Sequence, residues 1–289
     1  MNAASGSGRT TDAVETALRQ AGADVTSFGL GDERAAAASD AERLVVAGGD
    51  GTVAAVAVAA SEAGKPLAVI AAGTANDFAR AHGLPRGLRG ACLLAAVGRR
   101  TRPLELAWMD DLPQCHPPRS SFSAGRRPFL NVASSGLAAP AARRAGRWKR
   151  ALGVAAYGLG AMGAAVMDAP VPSSVHVDGE LVYEGDAWQV TVASSGAFGG
   201  GSHLNVADAS DGFLETVVLQ DSPRALLAVR AVGMRTGRVT EQTGVSHRRG
   251  HEVSLEVPPG TEFNVDGEVV RHGPARFRVD PAAFELVVG

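Results

Sequence analysis

Two stretches near the start of the chain share one design, and it limits the fold more than any other feature. Leu44 to Ala47 is a compact apolar run that ends in Gly48-Gly49-Asp50-Gly51-Thr52 and is followed by an Ala/Val-rich helical pattern to Ala63. After Pro66 the pattern recurs: an apolar run from Leu67 to Ala71, a glycine turn at Gly73, and a helix from about Asn76 to His82. A short strand buried on both faces, a sharp turn and a helix are the parts of a parallel sheet with crossover helices. Two such units in succession predict an open α/β sheet whose ligands sit at the carboxyl ends of its strands. Upstream, Ala13, Val14, Ala17 and Leu18 have helical spacing within Thr10 to Gln20, Gly22 supplies a stop, and Val25 to Phe28 is expected as a short strand.

From Leu104 the texture changes to short alternating runs separated by turn signals, which predicts a mainly antiparallel β domain, a sandwich. The expected strands are Leu104 to Met109, Phe129 to Ala133, Val175 to Val177, Trp188 to Ala193, Leu214 to Leu219, Val253 to Val257, Phe277 to Val279 and Phe284 to Val288. Helices are expected within Pro140 to Met167 and from about Pro223 to Thr236, and an exposed loop from Asp110 to Pro128. With 289 residues there is chain enough for two cores. The expected division is an α/β domain over 1–103 and a β-sandwich domain over 104–289.

Charge and cysteine content narrow the function classes. The 28 basic and 30 acidic side chains leave a net charge of -2, and 45% of residues are hydrophobic, which speaks against a disordered chain and against a general nucleic-acid-binding surface. Cys92 and Cys115 are too few for a disulfide framework or a four-cysteine zinc site and suit a reducing cytoplasm. Met1 to Gly8 lacks the basic head and apolar core of an export signal. The uncharged run Ala151 to Met167 is built mostly of Ala and Gly, which favours a buried helix over a membrane span.

The turn Gly48 to Thr52 stands where backbone N–H groups and a helix dipole can receive a phosphate, and its glycines let the backbone come close. Asp50 would repel a phosphate, so it is expected to orient Mg²⁺ or its waters. In the second turn, Thr74 and Asn76 can donate to a phosphate or nucleotide and Asp77 falls in the first helical turn; the plainer alternative is that Thr74 or Asn76 caps the helix. The segments Val177-Asp178-Gly179-Glu180 and Val265-Asp266-Gly267-Glu268 each offer carboxylates, and each Asp-Gly pair is also a standard hairpin turn. Asp211, before Gly212, can stand simply in a solvated turn. Arg143, Arg144, Arg147, Lys149 and Arg150 surround Trp148, which suits either a solvated helix face or contact with anionic lipid. His247 and His251, and the Cys115-His116 pair, are assigned no site.

Gly48 to Thr52 followed by Gly73 to Arg80 closely resembles the catalytic domain of diacylglycerol kinases, in the branch of soluble bacterial lipid kinases related to sphingosine and ceramide kinases. Asn2 with Ser5-Gly6 is similar to that family's nucleotide loop, Asn131 to Gly136 to its entry into the β domain, Gly199-Gly200-Gly201 with Asp211-Gly212 to its glycine-rich and acidic segments, and Val265 to Glu268 to its late catalytic segment. The resemblance implies ATP and Mg²⁺, transfer of the γ-phosphoryl group to a lipid hydroxyl, and an active site in a cleft between an α/β domain and a β-sandwich. It implies nucleotide contacts at Asn2, Ser5, Gly6, Gly48, Gly49, Asp50, Gly51, Thr52, Gly73, Thr74 and Asn76, and a magnesium network with Asp50 and Asp77. It also implies a structural Mg²⁺ at Asp211, and Asp266 as general base with Glu268 orienting it or sharing the role. A protein that works on a lipid acceptor at a membrane surface is expected to be cytoplasmic and peripherally bound. The chain departs from the family at Ala55, where a glutamate is common, at Ala138-Ala139, where an Asp-Ala pair is usual, and in lacking an apolar strand before Asn2. The last departure leads to the expectation that the natural protein starts upstream of Met1. Two rival readings are a NAD kinase, which shares the Gly-Gly-Asp-Gly-Thr turn, and a non-catalytic lipid- or nucleotide-binding protein.

Overall fold

The computed structural model describes residues 11–111, 126–141, 168–199 and 201–289. They form two compact units, one made of the residues through Leu106 together with Pro281–Gly289, the other of Ala107–Asp280.

The first unit is α/β. Its elements are α1 (Thr11–Gln20), α2 (Glu33–Ala38), β1 (Leu44–Gly48), α3 (Asp50–Ala63), β2 (Leu67–Ala71), α4 (Asp77–Ala81), α5 (Leu88–Val97) and the start of β3 (Arg100–Asp111). β1 and β2 are parallel neighbours in register from Leu44 opposite Leu67 to Gly48 opposite Ala71. Every residue of β2 is buried, as an inner strand of a parallel sheet requires. Val14 and Leu18, one turn apart on α1, pack with Ile70 of β2 and with Ala91 and Cys92 of α5. Gly64 ends α3 in the left-handed conformation at φ 62, and its N–H returns to the Ala60 and Ser61 carbonyls.

The second unit is mainly antiparallel β, with β4 (Arg127–Phe129), β5 (Val132–Gly136), β6 (Val171–Val177), β7 (Glu180–Ala193), β8 (Ala197–Phe198), β9 (Ser202–His203), β10 (Leu214–Gln220), α6 (Ala225–Thr236), β11 (Val245–Gly250), β12 (Glu252–Glu256), β13 (Glu262–Val265), β14 (Glu268–Arg271) and β15 (Ala275–Val288). β7 is the hub, pairing with β5, β6 and β10. β13 joins β5 to β14, β11 flanks β10, and β12 lies between β6 and β15. Met109, Phe129, Val190, Leu255, Phe263 and Phe277 fill its main core.

Several expectations need correction. Phe277 to Val279 and Phe284 to Val288 are not two strands but one, β15, whose apolar pattern is interrupted by Pro281 and by Ala282 at φ 48. Its last part leaves the β unit, and Leu286 pairs in parallel with Leu67 of β2. Residues 281–289 therefore sit with the first unit, a return that the expected division at 103/104 leaves out. Phe129 to Ala133 is broken into β4 and β5. Val25 to Phe28 forms no strand, although Val25 packs against the α1 cluster and its carbonyl accepts a bond from Arg19. β3 runs on through Asp111 and β4 begins at Arg127, so both ends of the expected loop are strand. Asn2, Ser5, Gly6, Gly200, the 143–150 cation cluster, Cys115-His116 and the run 151–167 lie outside the described residues. No helix among the described residues is long and apolar enough to cross a membrane.

Candidate active site

β1 and β2 end side by side, and the ladder continues one step further where Ala72 N–H donates to the Gly48 carbonyl at 2.9 Å. Both glycine turns therefore leave the sheet at the same edge, the carboxyl end. There they meet backbone to backbone: a Cβ on Gly73 would fall 2.5 Å from Gly49 Cα, and one on Gly49 3.2 Å from Gly73 Cα. Neither glycine has positive φ. What requires them is the close approach of two chains, not conformational freedom. Gly73→Ala is thus expected to force the turns apart, costing about 1–3 kcal/mol by the usual penalty for overpacking. Thermal melts check this, and a variant that melts like wild type would contradict it.

Asp50 ties the two turns together. Its Oδ1 accepts the Phe78 N–H at 2.8 Å, so the carboxylate of the first motif caps helix α4 in the second. The plainer expectation, capping by Thr74 or Asn76, does not hold for Asn76. Asn76 stands at φ 50, caps nothing with its side chain, and folds back on Gly73: its Oδ1 accepts the Gly73 N–H at 2.8 Å and its Nδ2 donates to the Gly73 carbonyl at 2.9 Å. Asn76 is thus a staple that shapes the turn. Thr74 is exposed beside it, and Asp77 is buried in an ion pair with Arg80. Burial pushes the Asp50 carboxyl above the ordinary carboxylate range; the Phe78 amide pulls it back, and the charge of Asp77 adds to the rise. At the head of α3, Gly49 offers no side-chain cap, Gly51 is exposed, and the first-turn amides point away from any intrahelical acceptor.

In the second unit the two Asp-Gly-Glu segments are structural copies. Both turns have positive φ at both central residues, 50 and 84 for Asp178-Gly179 and 45 and 89 for Asp266-Gly267, the hairpin geometry this pair favours. Each aspartate also reaches across to the strand beside its hairpin. Asp178 accepts the His251 and Glu252 N–H groups, both at 2.9 Å, at the head of β12. Asp266 accepts those of Leu130, Asn131 and Val132 at 2.7, 3.0 and 2.9 Å, at the head of β5. The backbone N–H of each returns the bond, to Glu252 and Val132 respectively. The break between β4 and β5 is where Asp266 takes hold. Glu268, two residues on, is exposed and pairs with Arg127 at 3.0 Å.

The side chains of the remaining residues have partners of their own. Asp211 gives one oxygen to Arg249 at 2.5 Å and the other to the Phe213 N–H at 3.0 Å. The buried Asn131 accepts the Ser195 hydroxyl at 2.9 Å. His247 pairs with the buried Glu215 at 2.5 Å, while His251 lies 3.7 Å from Asp178, so the two histidines face different carboxylates. Among the described residues no group of three His, Cys, Asp or Glu side chains gathers at a point. Sequence reasoning passed over the cross-strand role of Asp178 and Asp266, although the repeated Val-Asp-Gly-Glu was its visible trace, and passed over Arg127 entirely.

A pair of glycine turns at the carboxyl end of a parallel sheet, followed by an antiparallel β unit, defines a class, and comparison with known proteins agrees. Residues 1–109 match the family model of the diacylglycerol kinase catalytic domain, and residues 131–288 match that of the YegS C-terminal NAD kinase beta sandwich-like domain. The chain belongs to the kinase family that joins these two domains. It is 31% identical over 250 residues to a Pectobacterium atrosepticum protein named "Probable lipid kinase YegS-like", covering 84% of this chain and 77% of that one. It is 27% identical over 297 residues to a "Diacylglycerol kinase" of Mycobacterium tuberculosis, covering 99% and 93%. A crystal structure of a diacylglycerol kinase from Bacillus anthracis has the same fold, with a TM-score of 0.73, 22% identity, and coverage of 98% of this chain and 93% of that one.

Proposed function

We propose that this protein transfers the γ-phosphoryl group of ATP, with Mg²⁺, to a hydroxyl of a diacylglycerol-like lipid, working from the cytoplasm at a membrane surface. The observation that carries the reading is the junction of the two glycine turns, with Gly49 against Gly73 and the uncapped head of α3 beside them. Phosphoryl transfer depends mostly on positioning and charge stabilisation, and this junction supplies both. The amides of Gly51 and Thr52 donate to phosphate oxygens, Thr74 adds a hydroxyl from the facing turn, and the Asn76 staple holds that turn in shape.

The donor set suits Mg²⁺, which takes one or two carboxylates and completes its shell with water and substrate phosphates. The charge of Asp77 raises the Asp50 carboxyl even with Arg80 paired to Asp77, and a bound cation would relieve that repulsion further. When bound, the ion neutralises charge on the phosphates. For the acceptor proton, the Asp266 to Glu268 segment is the proposed receiver. Within it Glu268 is the more accessible carboxylate, while Asp266 holds the head of β5. Asp211, clasped by Arg249, is left in this reading with a structural part.

The test is transfer of label from ATP in the presence of Mg²⁺ to mixed lipid vesicles containing diacylglycerol, with NAD offered in parallel. Labelled phospholipid is expected. Label on NAD instead, or on nothing while ATP still raises the melting temperature, would replace this reading with one of its two rivals.

A further inference from the structure

Leu130 and Asn131 form the bend that separates β4 from β5, and both are buried. In a regular strand successive N–H groups point to opposite sides. Here three in a row, from Leu130, Asn131 and Val132, converge on the Asp266 carboxylate, a concave array of amides of the kind that receives an anion. Holding the array in shape falls to Asn131. Its carbonyl accepts the Ser194 and Ser195 N–H groups at 2.9 and 3.3 Å, and its side-chain Oδ1 accepts the Ser195 hydroxyl at 2.9 Å, so the residues just past β7 grip both its backbone and its side chain. Leu130 and Val132 bring apolar side chains into the interior, whereas Asn131 brings an amide whose Nδ2 finds no acceptor among the described residues. A buried donor left so costs stability, and departures of this kind collect where function fixes the geometry.

We propose that Asn131, held by Ser195, is a positioning residue for phosphoryl transfer: it fixes the three amides, and they fix the Asp266 carboxylate and the segment that receives the acceptor proton. Both residues act only through Asp266. A displacement of about 1 Å at a reacting centre can slow a reaction about a hundredfold, so the hold on this carboxylate is worth keeping even at a cost to the fold. The inference rests on the proposed role of the Asp266 to Glu268 segment, and its test separates the two.

Ser195→Ala removes one hydroxyl and leaves both backbone bonds in place, so the chain should fold. Hydrogen exchange at Leu130, Asn131 and Val132 should rise about tenfold, and kcat should fall about tenfold with the KM for ATP unchanged. Asn131→Ala should fall about a hundredfold in kcat. Ser134→Ala removes a different buried hydroxyl, one bonded to Thr191 at 3.1 Å, and should change neither measurement. Adding Ser195→Ala to Asp266→Asn should slow the enzyme no further, because no carboxylate is left to position. Unchanged exchange in Ser195→Ala, or a further tenfold loss in the double variant, overturns the proposal, as does wild-type kcat in Ser195→Ala while Asp266→Asn is slow. An Asp266→Asn variant as fast as wild type strikes the segment itself from proton transfer, and the proposal with it. If the wild-type protein transfers phosphate to no acceptor, the kinase reading fails, and exchange alone decides whether Asn131 holds the amides.

Discussion

Asp50→Asn is expected to lower phosphoryl transfer by about a hundredfold or more, the usual cost of removing one preorganised electrostatic group, while leaving the protein as stable as wild type or more so at neutral pH. The two outcomes come from different atoms. Asparagine keeps an oxygen for the Phe78 N–H, so the cap on α4 survives, but it loses the charge that in the proposed function would hold a cation. Burial, and then the neighbouring Asp77, raise the Asp50 carboxyl above its unfolded value. The folded state therefore binds the Asp50 proton more tightly than the unfolded chain does. Stability falls as pH rises from the unfolded pKa through the folded one, and above that window the cost is carried in full. The variant has no such cost, so its advantage in melting temperature should be present at pH 7 and shrink as pH falls toward the ordinary carboxylate range. Melting curves across pH, paired with transfer assays, check both halves. Full activity in the variant would remove Asp50 from the machinery, and a large loss of stability at pH 7 would show that the charge itself serves the cap.

The second large effect concerns the twin hairpins. Asp178→Asn and Asp266→Asn should both keep their turns, since Asn-Gly suits the same geometry. Asp266→Asn should nonetheless lose stability, because the carboxylate receives the Leu130 N–H on one oxygen and those of Asn131 and Val132 on the other, and an amide presents N–H₂ to one side; Asp178 receives both of its 2.9 Å bonds on one oxygen, so Asp178→Asn should lose less. The expected cost for Asp266→Asn is roughly 2–4 kcal/mol, a drop in melting temperature on the order of 5–10 °C. The pair then works as a control at a temperature well below both midpoints. There Asp178→Asn should stay within a few-fold of wild type, while Asp266→Asn should fall at least a hundredfold in kcat with nearly unchanged ATP affinity, the lower bound for losing a general base or its support. Equal kinetics in the two variants would confine Asp266 to holding β5. If Glu268→Gln alone reproduces the loss, the proton goes to Glu268.

The sequence spoke most clearly where structure is local. β1, α3, β2 and α4 could be read because a buried parallel strand is a continuous apolar run and a glycine turn interrupts it visibly. β11 could not, since Val245–Gly250 is mostly polar and owes its form to six residues paired along β10. β15 read as two strands because Pro281 breaks its pattern. At the site, the glycines announced a close approach without saying to what, and the answer was each other. The part played by Asp266 depends on amides that lie more than a hundred residues earlier in the chain, and no local pattern carries that information.

The return of β15 to the first unit has a consequence for how the protein is made. A ribosome that has finished Leu106 must add 180 more residues before Leu286 exists, a delay on the order of ten to forty seconds at about 5–20 residues per second. Through that interval β2 has β1 on one side and an open edge on the other, at Leu67 and along the strand that carries the second glycine turn. Open edges of apolar strands recruit other strands. The α/β half is thus synthesised before the β unit and among the last parts to be completed, and a fragment cut near Leu106 would express as a sheet still waiting for its neighbour.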